Sequence, residues 1–169
     1  SSRRARSRLP SRAWCPSRSK QITYENLRRR DTDYVAGIDR WWAKKVSAEQ
    51  QVAIPEDRPP PPMFTPFRLR GMTLPNRVVV SPMGMYKAEE GKPTRFHLVH
   101  IGSFAMGGAG LVFVETTHVS RESRITPGCT GIYTDEHTAA WREIVDYVHE
   151  ESASRICLQL GHAAVCSSV

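Results

Sequence analysis

The chain has 169 residues, 40% hydrophobic and 24% charged, a composition that fits about one globular domain. Its net charge of +7 misleads, because residues 1–20 carry seven basic side chains and no acidic one. Residues 21–169 carry 17 of each sign, so they offer no electrostatic argument for a nucleic-acid partner. No apolar run approaches about 18 residues, and the sequence therefore predicts no membrane span.

The basic leader, residues 1–19, has three open interpretations. Its Arg- and Ser-rich, acid-free composition is typical of an organellar transit peptide. It could equally be a basic tail for nucleic acid or membrane surfaces. The start at Ser1 and the lack of a helical period favour the third interpretation, a disordered segment that does not belong to the fold.

The cysteine pattern indicates neither a metal site nor a redox motif. Cys15, Cys129, Cys157 and Cys166 form no C-x-x-C pair, and no disulfide framework is evident. We therefore expect reduced thiols in a cytoplasmic protein, without a bound metal.

Two segments precede the main fold. We predict that the chain is helical from Lys20 to Lys45, with Thr23 as a cap. Residues 20–46 form this helical segment. Trp41 and Trp42 on this helix favour a small packing element over an interaction face. Residues 47–62 are Pro-rich and predict an extended linker, a more common use of such sequence than a proline motif for a partner.

Residues 63–163 alternate strand and helix signals after a small hairpin at 63–77. Buried strands are predicted at 78–80, 111–117 and 155–160, with helices that begin after Thr94 and at a cap by Asp135. This alternation predicts an α/β fold with a parallel sheet. Three units are too few to close a (β/α)8 TIM-type barrel, so we expect its incomplete N-terminal portion. Residues 164–169 predict an unstructured tail.

Polar residues collect at the carboxyl ends of the three strands, where α/β proteins bind ligands. They are Ser81, Met83, Gly84 and Tyr86 after the first strand, Glu115, Thr116 and Thr117 at the second, and Gln159 and His162 at the third. These mostly neutral groups suit a flat heteroaromatic cofactor better than a metal. Taken singly, Tyr86 could be a packed tyrosine, Gln159 a satisfied strand-end residue, and Glu115 a partner of backbone groups. The helical histidines His97, His100, His137 and His149 are expected to be solvated or capping.

Ordered motifs give a more specific prediction. They are Asn76–Met83, Pro93–His100, Gly107–Glu115, Asp135–His137 and Leu158–Ala163. Together they resemble the Old Yellow Enzyme family of FMN-dependent NAD(P)H oxidoreductases that reduce activated C=C bonds. The resemblance implies FMN as cofactor, NAD(P)H as reductant and a small-molecule substrate such as an enone.

The same resemblance assigns roles to individual residues. Ser81, Pro82, Met83 and Gly84 would lie along the flavin, Thr116 beside it, and Gln159 at its pyrimidine end. Tyr86 would be catalytic and would contact the substrate, and His162 would bind the substrate without a catalytic role. Gly84 stands where some relatives have a flavin-tuning cysteine, and Ala164-Val-Cys166 replaces the family's Gly-Arg-Lys continuation after His162-Ala163. The family's carbonyl-binding histidines, its proton-donating tyrosine and its phosphate-binding loops lie on later strands, so this fragment is expected to be inactive alone.

The segment 21–45 resembles the junction of bifunctional salicyloyl-CoA and anthraniloyl-CoA hydroxylase/reductase proteins, which implies an upstream monooxygenase domain. The substrate would then be an aromatic acyl-CoA, and the full-length parent could form a homo-oligomer. Two alternatives stay open. One is a non-catalytic binding module that uses the basic leader and the proline segment, and the other is a reductase related to the dienoyl-CoA reductases.

Overall fold

The computed structural model describes residues 22–163, which begin with two helices, α1 (Tyr24–Arg30) and α2 (Thr32–Gln50). Thr23 caps α1 as predicted, since its hydroxyl accepts a hydrogen bond from the Asn26 amide at 3.2 Å. The predicted single helix is wrong, because Asp31 interrupts it with a non-helical backbone (φ −152°, ψ 88°) and then caps α2. Helix α2 also continues to Gln50, into the segment predicted as a linker.

Helix α2 packs against the segment that follows the linker. The Trp42 indole donates to the Thr65 hydroxyl at 3.1 Å, and the Arg77 guanidinium lies 5.4 Å from the centre of the Trp42 ring. Trp41 stays 58% exposed. The packing role predicted for the tryptophan pair therefore belongs to Trp42.

A short 3-10 helix, Pro62–Phe64, leads into the predicted hairpin. Its strands β1 (Phe67–Leu69) and β2 (Met72–Leu74) are antiparallel, and Arg70 takes the positive φ that the tight turn requires.

The second sheet has three parallel strands in the order β3-β4-β5. They are β3 (Val79–Val80), β4 (Leu111–His118) and β5 (Arg155–Gly161), connected by α3 (Arg95–Met106) and α4 (Asp135–Glu151). The predicted alternation and parallel pairing are confirmed. Parallel pairing brings the carboxyl ends of all three strands to one edge.

Helices α3 and α4 cover one face of this sheet with a shared apolar core. Its most buried members are Ile101, Ala105, Val112, Val114, Trp141, Ile144 and Val148. The Trp141 indole also donates to the Gly131 carbonyl at 3.1 Å. Burial is deepest on β4, whereas Val79 is 49% and Leu160 62% exposed. The prediction of three fully buried strands is therefore wrong for β3 and β5, because they form the edges of the described sheet.

The helix caps follow local chemistry. Thr94 caps α3 as predicted, in a reciprocal capping box with His97. Thr134, not Asp135, caps α4, because the Thr134 hydroxyl accepts from the His137 amide at 3.2 Å. Asp135 is instead the first residue of the helix, where its negative charge interacts favourably with the positive end of the helix dipole.

None of the helices within residues 22–163 combines the length and the apolar character needed to cross a membrane. Cys129 and Cys157 are free thiols. The expectations for residues 1–19, for residues 164–169 and for Cys15 and Cys166 lie outside the described residues.

Candidate functional site

The turn after β3 lies against the carboxyl end of β4. The Met85 amide donates to Glu115 Oε2 at 3.1 Å, which holds the turn beside the central strand. Ser81, Met83 and Gly84 are exposed, and Pro82 is half-buried. The turn therefore leaves an open face at the edge where a ligand was predicted.

Tyr86 follows in a left-handed backbone conformation (φ 55°), which is unusual for a tyrosine. Its ring lies next to Gly84, where an added Cβ would be 3.5 Å from the ring Cζ. Its carbonyl packs closely on Gly128, where an added Cβ would come within 2.6 Å of the Tyr86 oxygen. The Ala88 amide donates to the Gly128 carbonyl at 3.0 Å, so the backbone is held while the side chain stays 55% exposed.

Thr116 and Gln159 form a pair across β4 and β5. They are register partners, and the Thr116 hydroxyl donates to Gln159 Oε1 at 2.8 Å. This bond occupies the amide oxygen and leaves the Nε2 donor without a partner among the described residues. A Cβ at Gly161 would meet Thr116 Cγ2, so a larger residue there would displace the Thr116 side chain.

Glu115 does not face the ligand edge with these residues, contrary to the strand-end prediction. A register shift between Phe113 and Thr116 turns Glu115 toward α3, where its Oε1 lies 2.9 Å from His97 Nε2. Glu115 does accept a hydrogen bond from a backbone group, the Met85 amide, which is the alternative role considered for it in the sequence analysis. His97 caps as expected but is buried rather than solvated, and the spacing Thr94-x-x-His97 was the available signal.

Three further histidines differ in their surroundings. His118 ends β4 with no exposed surface, and neither ring nitrogen has a hydrogen-bond partner within residues 22–163. Burial is the main cause that lowers the pKa of His118 from its ordinary value, and the positive charge of Arg124 adds to it, whereas the nearby Ser123 backbone and Glu115 partly offset it. His137 is also buried, with Nε2 at 3.2 Å from the Glu90 carbonyl, so solvation was the wrong expectation. His162 is exposed just after β5.

The burial of His118 could not be predicted from the sequence, because a single histidine at the end of a strand belongs to no periodic pattern. His162 lies at the same sheet edge as Gln159, as predicted. The roles assigned to the strand-end residues stay predictions.

The donor set fits a flat conjugated ring better than a metal ion. Within the described chain, no three His, Cys, Asp or Glu side chains cluster so that they could hold a metal. The uncharged Gln159 amide offers a donor to a ring carbonyl, and Met83 is 41% exposed beside Gly84, on which the Tyr86 ring lies. An isoalloxazine ring is therefore compatible with the residues present.

Known proteins resemble the larger part of the chain. The sequence profile of the NADH:flavin oxidoreductase / NADH oxidase family matches residues 62–168. The NADPH dehydrogenase of Bacillus cytotoxicus is 45% identical over 103 residues, which are 60% of this chain and 30% of that protein. The NADPH dehydrogenase of Bacillus subtilis is 44% identical over 103 residues, with the same shares.

Solved structures give the same likeness. Morphinone reductase in complex with tetrahydroNAD superposes with a TM-score of 0.57 and 34% identity, over 62% of this chain and 28% of that one. The old yellow enzyme from Trypanosoma cruzi gives 0.54 and 32%, over 60% and 27%. These neighbours are TIM barrels, which confirms the predicted fold class. The chain spans about 30% of the length of the curated relatives it matches.

Proposed function

This chain belongs to the NADH:flavin oxidoreductase / NADH oxidase family, and we propose that residues 63–163 form the flavin-ring face of an incomplete oxidoreductase barrel. Members of the family use FMN with NADH or NADPH as reductant. The proposed reaction of the whole protein is reduction of an activated C=C bond in a small molecule such as an enone. The chemistry that bound FMN supplies is hydride transfer.

Each strand end has a proposed task. Ser81, Pro82, Met83 and Gly84 would lie along the ring and exclude water from one side of it. Thr116 would orient the Gln159 amide, whose free N–H group would donate to a ring carbonyl. Tyr86 would hold a proton at its phenol oxygen for the substrate, and the exposed His162 would contact the substrate from the neighbouring strand.

The Thr116–Gln159 pair carries this proposal. An exposed side-chain hydrogen bond contributes little to stability, because water competes for both partners. Yet the two residues sit in register on adjacent strands, and Gly161 keeps the space beside Thr116 clear. An oriented amide with one free donor is suited to recognising a neutral carbonyl on a ligand.

Flavin titration of the 169-residue chain tests the proposal. Binding of FMN and of riboflavin, followed by flavin fluorescence, should be saturable and similar for both, because none of the strand-end residues is Lys or Arg. Gln159→Glu replaces the free donor with a charged acceptor and should weaken both ligands about tenfold. Gln51→Glu, the same change at an exposed position after α2, should leave them unchanged. A chain folded by circular dichroism that binds neither flavin would contradict the proposal.

We propose further that the 169 residues turn over little NADPH by themselves. Both edges of the described sheet are open, with Val79 and Leu160 exposed, so the ring would be bound on one side only. The assay is NADPH oxidation with 2-cyclohexenone as acceptor. Turnover above that of free FMN would show that the short chain suffices.

The upstream segment carries a separate proposal, that residues 20–46 derive from a monooxygenase domain and that the substrate is an aromatic acyl-CoA in the cytoplasm. The resemblance of 21–45 to the bifunctional hydroxylase/reductase junction motivates it. A small apolar cluster of Ala43, Val46 and Ile54 is distinct from the barrel core and supports a separate N-terminal unit, on which the first part of the proposed linker packs through Ile54. Limited proteolysis should cut within 51–61 and leave a stable product of about residues 63–163. Cleavage inside that product first would contradict the division.

A further inference from the structure

A buried hydrogen-bond chain connects helix α3 to the turn that carries Tyr86. The Thr94 amide donates to His97 Nδ1 at 2.9 Å, His97 Nε2 lies 2.9 Å from Glu115 Oε1, and the Met85 amide donates to Glu115 Oε2 at 3.1 Å. Because Nδ1 accepts from a backbone N–H, the proton of the neutral imidazole is on Nε2 and points to Glu115. The two Glu115 oxygens therefore each accept one hydrogen bond, Oε1 from His97 and Oε2 from the Met85 amide.

This arrangement is costly if its only purpose is to fill the core. The side chains of His97 and Glu115 are 2% and 5% exposed, and burying a charge requires compensating donors. The register shift in β4 that turns Glu115 toward α3 also interrupts the sheet ladder. A pair of aliphatic residues on a regular strand would fill the same space without either cost.

The geometry points to what the pair achieves at the site. Met85 stands between Gly84 and Tyr86, and its amide is held by Glu115, while the Ala88 amide is held by the Gly128 carbonyl. These two bonds flank the left-handed backbone of Tyr86, a conformation that persists only where the surroundings enforce it. A narrow cavity lined by Met83, Met85, His97 and Glu115 shows that the pair lies directly beneath the turn.

We propose that Glu115, held by His97, is a positioning residue that fixes the turn from Ser81 to Tyr86 against the flavin and the substrate. Glu115 touches neither group itself and acts through the Met85 amide. The role at the flavin rests on the proposed function, whereas the anchoring of the turn does not.

Hydrogen–deuterium exchange of the 169-residue chain, followed by mass spectrometry, tests the anchoring. In Glu115→Gln one of the two donors, His97 Nε2–H or the Met85 amide, must face the new NH2 group. Exchange within residues 84–88 should then rise about tenfold, while β4 and α3 keep their protection. Glu143→Gln, the same change at an exposed position on α4, should alter neither. Uniform loss of protection, or no change within 84–88, would overturn the proposal.

Two additions keep the test decisive. His97→Asn retains an acceptor near the Nδ1 position for the Thr94 amide but removes the donor to Glu115, so it repeats the test if Glu115→Gln does not fold. Riboflavin titration of the same variants then probes the site. Weaker binding in both variants, with faster exchange only in 84–88, supports the positioning role. Faster exchange with unchanged riboflavin binding overturns the positioning role and leaves the proposed function standing. Absence of riboflavin binding in the unsubstituted chain counts against the proposed function alone.

Discussion

Gly110 joins all three parallel strands, and replacing it should therefore damage the fold more than any surface change. Its amide donates to the Val78 carbonyl at 2.9 Å, and its carbonyl accepts from the Arg155 amide at 3.0 Å. A Cβ at this position would clash with the carbonyl oxygen of Asn76, and it would lie 2.7 Å from Asn76 Oδ1. These neighbours belong to a backbone segment that is itself fixed, because Asn76 Oδ1 accepts from the Val78 amide.

The expected loss for Gly110→Ala follows from this geometry. Asn76 must move by about 1 Å, which strains or breaks two hydrogen bonds at about 1 kcal/mol each and adds about 1–2 kcal/mol of overpacking. The free energy of unfolding should fall by about 3–4 kcal/mol, a large share of the 5–15 kcal/mol that is roughly typical of a domain. At about 2–4 °C per kcal/mol, Tm should fall by roughly 6–16 °C.

Thermal and urea unfolding, followed by far-ultraviolet circular dichroism, measure this loss. The matched control is Gly37→Ala within α2, where an added Cβ meets nothing within 4 Å. That change should stabilise the chain by about 0.5–1 kcal/mol through helix propensity. A Tm for Gly110→Ala within about 2 °C of the unsubstituted chain would refute the close approach of Asn76 to β4.

Two further predictions concern His118 and the cap of α4. Because burial lowers the pKa of His118 in the folded chain, the unfolded chain takes up a proton first as pH falls below the ordinary histidine value. The free energy of unfolding should therefore fall as pH drops from 7 to 5. In urea titrations His118→Gln should make this fall less steep, and the charges of Arg124, Glu115 and His162 that face His118 remain in the variant. An identical pH dependence in the variant would contradict the assignment. Thr134→Ala should cost about 1 kcal/mol because it removes the cap of α4, whereas Asp135→Asn should cost about half of that or less. Equal losses in urea unfolding would show that the cap is wrongly placed.

Local sequence patterns predicted those parts of the fold that depend on neighbouring residues. The hairpin at 67–74, the cap at Thr94 and the strand-helix alternation after residue 78 follow from turn chemistry and apolar periodicity, which act over a few positions. The resemblance to a known family added the flavin and the roles assigned to the strand-end residues. Asp31 shows the limit of this approach. The sequence around Asp31 predicts one helix, and only the backbone conformation of Asp31 divides that helix into α1 and α2.

Tertiary structure alone decided the direction of individual side chains and the burial of whole strands. A shift of one residue in the pairing of β4 with β5 turned Glu115 away from the ligand edge and toward His97, and no local pattern encodes a bulge that depends on two strands distant in sequence. His118 is buried through a different long-range contact, since its backbone pairs with Thr130 and Ile132 of the segment that follows β4. The amino-acid sequence therefore determined which elements form and in what order, whereas long-range packing decided which polar groups meet, because contacts between distant segments depend on how the sheet and helices close on one another.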